Sequence, residues 1–127
     1  MVSIEHIALE CDTLDHAIML FEKVFDCTLV KSFSLSEDFV EQVFSVHKSV
    51  DVHVYRSSFG VFEVFITGVV KHEISCQHIC IGIPDMARFV SSCKNVGLEP
   101  YTIIRNEKQY TFLRDMVGNV FEIKEMK

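Results

Sequence analysis

Four side chains of the 127-residue chain combine metal-binding chemistry with a repeating placement: His6, Glu63, His78 and Glu122. Imidazole nitrogen and carboxylate oxygen are together the donor set used for zinc, nickel, iron and manganese. Taken singly, each residue has a plainer reading. A histidine in a strand is usually a hydrogen-bonded structural residue, and a glutamate there usually faces solvent. Their joint placement argues for more. His6-Ile7 opens the first half of the chain as His78-Ile79 opens the second, and Val61-Phe62-Glu63-Val64 closes the first as Val120-Phe121-Glu122-Ile123 closes the second. Both glutamates sit between large apolar neighbours, where an unpaired buried carboxylate would cost several kcal/mol or take up a proton. We therefore expect these four residues to hold one divalent metal ion. A competing set overlaps them, because Cys76, His78 and Cys80 alternate along one segment and would project to one face. Same-face neighbours on a strand stand about 6.5–7 Å apart, which suits a tetrahedral site poorly.

The elements that must carry these residues repeat as well. Residues 2–10 read as a strand, Asp12-Thr13 offers a helix cap, and Leu14, Ala17, Ile18, Phe21 and Phe25 recur at helical spacing. Extended segments are expected at 28–35, 50–57 and 60–66, the last two parted by a break at Ser58, Phe59 and Gly60. Residues 36–49 stay undecided: Phe39, Val43 and Val46 suit a short helix, whereas Val43-Phe44-Ser45-Val46 suits a strand. A second round follows, with a strand at 76–83, Pro84 opening a helix to about Asn95, Gly97 stopping it, and strands near 99–105, 109–115 and 119–125. The expected fold class is α+β, two βαβββ modules at about 1–70 and 75–127 within one domain. Flexible linkers of Gly, Ser and Pro are absent between them, so the halves are expected to pack on each other.

Composition narrows the partners. Nearly half of the residues are apolar, enough for a real core, and the net charge of −6 comes without a run of Lys or Arg. No nucleic-acid or membrane-surface partner is expected from such a balance. The longest apolar stretch, residues 57–70, is interrupted by Glu63 and falls short of the roughly 18 residues a spanning helix needs. Glu5 and Glu10 stand where a signal peptide would be basic and then apolar, so a cytoplasmic location is expected. Cys11, Cys27, Cys76, Cys80 and Cys93 are odd in number and form no CxxC pair, which reads as reduced thiols, mostly buried as small hydrophobes.

This pattern resembles the vicinal oxygen chelate superfamily, the group of glyoxalases, bleomycin-resistance proteins and extradiol dioxygenases, and it does so along almost the whole chain. The resemblance is carried by His6-Ile7-Ala8-Leu9-Glu10 leading into the first helix, His78 to Asp85 leading into the second, and the closing Arg114-Asp115-Met116-Val117-Gly118-Asn119-Val120-Phe121-Glu122. It implies a half-barrel cup built from the two modules, with ligands from the first and fourth strand of each: His6, Glu63, His78 and Glu122. The second carboxylate, Glu63, is similar to glyoxalase I, which implies a lyase or isomerase acting on a small carbonyl substrate through a metal-stabilised enediolate. Nickel, zinc, cobalt or iron would serve, with Glu122 or Glu63 moving the proton. The alternatives within the resemblance are an iron-dependent extradiol-type dioxygenase, a non-catalytic small-molecule-binding protein, and an epimerase acting on methylmalonyl-CoA, although Gln77 precedes His78 where such epimerases carry a paired histidine. The resemblance also implies a homodimer. Tyr55, Arg105, Tyr110 and Phe112 lie on strands that could line the cup, but strand aromatics are mostly core residues.

Overall fold

A computed structural model describes residues 3–58, 60–70 and 76–126. Its chain separates into two compact units, residues 1–70 and 71–127. The first contains β1 (Ile7–Cys11), α1 (Leu14–Ala17), β2 (Thr28–Leu35), α2 (Glu37–Phe44), β3 (Val50–Arg56) and β4 (Val61–Ile66). The second contains β5 (His78–Ile83), α3 (Met86–Asn95), β6 (Tyr101–Arg105), β7 (Lys108–Arg114) and β8 (Val120–Glu125). Each unit forms a four-stranded sheet in the same order, β1-β4-β3-β2 and β5-β8-β7-β6, with the first strand parallel to the last and the others antiparallel. The expected α+β class and the doubled βαβββ plan are both present.

Local chemistry explains the helices. Thr13 caps α1 by accepting from the His16 amide at 3.2 Å, and Asp12 accepts from the Thr13 amide and pairs with the His16 ring. Such a cap contributes about 1 kcal/mol. Beyond Ala17 the helix widens into a π-helix over Ile18–Val24, closed by the Phe25 amide donating to the Leu20 carbonyl five residues back. Ala17, Leu20, Phe21 and Val24 are the residues it buries against the sheet. The undecided segment resolves as a helix: Ser36 caps α2 by accepting from the Phe39 amide, and Ser45 ends it in the left-handed region at φ 59°. Asp85 caps α3 in the same manner, so Pro84 lies just before the cap and not inside the helix.

Strand alternation then divides each sheet into two faces. In the first unit Tyr55, Phe62 and Val64 are buried on the face covered by the first helix, where Phe21 stacks on Tyr55 at 5.5 Å. The opposite face carries Val50, Val52 and Val54, and α2 lays Val40 against them. The first strand is shorter than expected. Its ladder begins at Ile7, which pairs with Phe62, so His6 immediately precedes β1 and is not within it. Val2 and Phe59, which the expected first strand and hairpin break included, lie outside the described residues.

Candidate metal centre

The register of the two sheets makes the sequence repeat a geometric one. Ala8 pairs with Glu63 across β1 and β4, and Cys80 pairs with Glu122 across β5 and β8. Each histidine stands two residues before the partner of its glutamate: His6 before Ala8, His78 before Cys80. Side chains two apart in a strand share a face, and directly paired residues share it too. The second unit, where His78 opens β5, therefore places its His and Glu diagonally adjacent on one face, whereas His6 lies just outside β1 and its place beside Glu63 rests on contact. In the first unit the two make contact, with His6 Nε2 3.4 Å from Glu63 Oε1.

In the second unit the histidine is oriented by the backbone. His78 Nδ1 lies 2.9 Å from the Cys76 carbonyl oxygen, which can only accept, so Nδ1 carries a proton, and in the neutral ring the lone pair is on Nε2. A backbone carbonyl in this role is the usual device that fixes the tautomer of a metal-binding imidazole. The same contact answers the Cys76, His78 and Cys80 reading. Residue 76 precedes β5, so the strand alternation that was to align the three side chains does not reach it. Its peptide carbonyl, and not its thiol, meets the histidine. The five cysteines are thiols not joined by disulfides, with Cys11, Cys27 and Cys93 buried and Cys76 and Cys80 exposed.

Cys80, read from the sequence as a member of that competing set, has a different neighbour in the fold. It faces Glu122 directly, where the first unit has Ala8 facing Glu63. Burial, the charge of Glu122 and a hydrogen bond to that carboxylate push its thiol pKa up, so Cys80 donates to Glu122. The alignment of the two HI motifs contains the signal, since Ala8 and Cys80 fall at the same offset from their histidines.

Burial differs from the expectation. Glu63 and Glu122 are half-buried, and no charged residue is fully buried among the described residues. The reason is the face they share: it is the one turned away from the first helix of each unit, so the large apolar neighbours Phe62, Val64, Phe121 and Ile123 point into the core while the carboxylates point out of it. A forced pairing of buried charge is therefore not what marks these glutamates. The repeated register is. Among the described residues no group of three or more His, Cys, Asp or Glu side chains is gathered closely enough to hold a metal ion. Each unit brings together one imidazole and one carboxylate, where a protein metal centre takes three or four ligands.

The loop ahead of β8 sets the position of Glu122. Asp115 accepts from the Val117 amide at 3.1 Å, the Asn119 amide at 2.8 Å and the Asn119 side chain at 2.7 Å. Gly118, at φ 92°, provides the left-handed turn residue. Burial moves the Asp115 pKa upward against the pull of these donors. The loop returns the chain so that Arg114 pairs with Val120, which puts Phe112 opposite Glu122. Phe112 and Tyr110 thus share the face of Glu122, as does Arg105 through the pairing of β6 with β7. Tyr55 does not line such a face in its own unit. It is fully buried on the opposite side, where its hydroxyl donates to the Glu22 carboxylate at 2.8 Å, and burial and that carboxylate push its pKa up.

No helix among the described residues is long and apolar enough to cross a membrane. No protein-family model matches the sequence, and no curated protein matches it. Solved structures do match. The fosfomycin resistance protein FosX of Listeria monocytogenes aligns with a TM-score of 0.73 at 14% identity, covering 100% of this chain and 95% of that one. FosX of Mesorhizobium loti aligns with a TM-score of 0.70 at 17% identity, covering 98% and 91%. A glyoxalase family protein of Bacillus cereus aligns with a TM-score of 0.73 at 15% identity, covering 98% and 94%. One Listeria FosX structure is a complex with Mn(II) and 1S,2S-dihydroxypropylphosphonic acid. The chain thus has the fold of the fosfomycin resistance and glyoxalase family proteins, the vicinal oxygen chelate fold that its doubled βαβββ plan led us to expect.

Proposed function

We propose that the protein is a metal-dependent lyase or isomerase of the glyoxalase type, acting on a small carbonyl compound, with His6, Glu63, His78 and Glu122 as ligands of one divalent ion. The observation that carries this reading is the register: each glutamate is paired with the residue two beyond a histidine, in both units. The tautomer fixed at His78 supports it, because it leaves Nε2 available as a donor. The Mn(II) bound by a protein of the same fold supports a divalent ion.

Bound to these residues, a divalent ion would supply Lewis acidity to adjacent substrate oxygens. The chain's own part is proton movement and orientation. Glu63 or Glu122 takes the proton from the carbon beside the carbonyl and returns it to the neighbouring carbon, which a half-exposed carboxylate can do where a buried one could not be reached. His6 and His78 orient the set, and Phe112 gives an apolar wall beside Glu122.

The experiment has two arms. Elemental analysis of protein purified without chelator should find about one equivalent of nickel, zinc, cobalt, iron or manganese per chain, and His6→Ala and His78→Ala should each lose it. Turnover of a thiohemiacetal should fall in Glu63→Gln or Glu122→Gln at retained metal. Undiminished turnover in both glutamine variants would sink the mechanism, and protein without stoichiometric metal would leave only a ligand-binding role. A second reading is favoured by the FosX likeness: metal-dependent chemistry on a phosphonate such as fosfomycin. Conversion of fosfomycin to a phosphonate one water heavier, read by mass spectrometry after incubation with Mn(II) and protein, would establish it. We further propose that the protein acts as a homodimer, which sedimentation would reveal as twice the mass of 14.6 kDa.

A further inference from the structure

The first unit contains a cavity of about 610 Å³ on the same sheet face as His6 and Glu63. This size lies within the range of roughly 300–1,000 Å³ typical of small-molecule sites. Its floor includes Ala8, the residue paired with Glu63, so the near end of the cavity adjoins the His6–Glu63 pair. From there it runs along the strands to Thr67, four residues beyond Glu63, a span of about 13 Å at the usual strand rise. Helix α2 forms the roof: Val40 packs on the valines of β3, and Phe44 meets Phe65 edge-to-face at 5.7 Å. Val46 closes the side.

Among the described residues the lining is mostly apolar, and its cation is Lys48, at the Thr67 end. The Lys48 ammonium donates to the Thr67 carbonyl, which holds it there and leaves two of its three N–H groups for another acceptor. Glu10, the other charged residue of the described lining, pairs with Phe65 and so lies towards the Thr67 end as well, one strand across on β1, where it flanks the head position and does not occupy the apolar trough. An apolar trough about 13 Å long with a pinned ammonium at its far end calls for an elongated molecule with an apolar body and an anionic head. A neutral molecule would leave the ammonium without an acceptor from the ligand, and a compact polar one would leave the valines and phenylalanines uncovered.

We propose that this cavity binds a medium-chain carboxylate, with the chain under α2 and the carboxylate on Lys48, and that such an amphiphile, bearing its carbonyl at the other end, is the substrate. Only the second half of this statement rests on the metal-dependent reading above; the binding itself does not.

The test is calorimetric titration of the full chain with octanoate and, separately, octanol, with metal content measured on every sample. Octanoate should bind, and Lys48→Met, which removes the charge but keeps the length, should weaken octanoate by about tenfold or more while leaving octanol within about twofold, the difference expected for one charge-assisted hydrogen bond. Val46→Trp, which fills the cavity from its exposed rim, should abolish both. Both variants should keep the metal content of the parent protein. Octanoate affinity unchanged by Lys48→Met would overturn the placement of the head, and affinity unchanged by Val46→Trp would overturn the site. His6→Ala protein that has lost its metal should still bind octanoate. Loss of binding there would overturn the claim that the cavity acts independently, whereas metal-free parent protein that binds octanoate would sink the enzyme reading alone.

Discussion

Asp115→Ala tests whether the loop before β8 is what sets Glu122 in place. The substitution removes one acceptor group and strands three donors: the amides of Val117 and Asn119 and the side-chain amide of Asn119. Hydrogen bonds to a charged group contribute about 1.5–3 kcal/mol each, which would sum to roughly 4.5–9 kcal/mol if none were replaced. Two effects reduce that sum. Burial of the carboxylate is itself unfavourable, as the upward direction of its pKa records, and Asn119 is only half-buried, so water reaches part of what is exposed. A net loss of about 2–4 kcal/mol remains, at the upper end for a single substitution. For a chain of this length that lowers Tm by roughly 6–16 °C. Circular-dichroism melts and urea titrations measure both quantities, and elemental analysis follows the proposed ligand set. Asp115→Asn should fall between, because its carbonyl oxygen still serves the two backbone amides while its amide opposes that of Asn119. A loss below about 1 kcal/mol for Asp115→Ala would refute the reasoning, since the loop would then hold its shape through Gly118 and the β7–β8 ladder alone.

Other consequences follow from side chains already placed. Tyr55→Phe removes the bond to Glu22 from a site packed on Phe21, and should cost about 1–2 kcal/mol in urea unfolding because Glu22 is half-exposed. The folded-state pKa of Tyr55 is raised above its ordinary value near 10, so its contribution is intact below pH 10 and is lost as the pH climbs from there towards the folded value. Parent protein should therefore lose urea resistance above pH 10 more steeply than Tyr55→Phe, and parallel profiles would contradict the assignment. Cys80 should alkylate slowly with iodoacetamide at pH 8 although it is exposed, and Glu122→Gln should speed the reaction several-fold by removing the charge that holds the proton on sulfur. Peptide mapping after a timed quench reads this directly, with an equal rate in the two proteins as the refuting result.

The sequence by itself determined the doubled βαβββ plan, because two HI motifs and two VFE motifs recur in order and hydrophobic period distinguishes strand from helix without knowledge of contacts. It equally placed one histidine and one glutamate at matching points of each half. Three things waited for the tertiary structure. Residues 36–49 carry both periods, and only the packing of Val40 on the valines of β3 decides for α2. The glutamates read as buried because their chain neighbours are large and apolar, yet alternation sends those neighbours to one face and the carboxylates to the other, which a linear string cannot rank. Cys80 and Tyr55 take places that only pairing decides: the thiol stands beside Glu122, and the phenol is locked in the core by Glu22. Such assignments depend on register, on which residue faces which across two strands far apart in sequence. Register is fixed by the summed packing of a sheet, not by any residue within it.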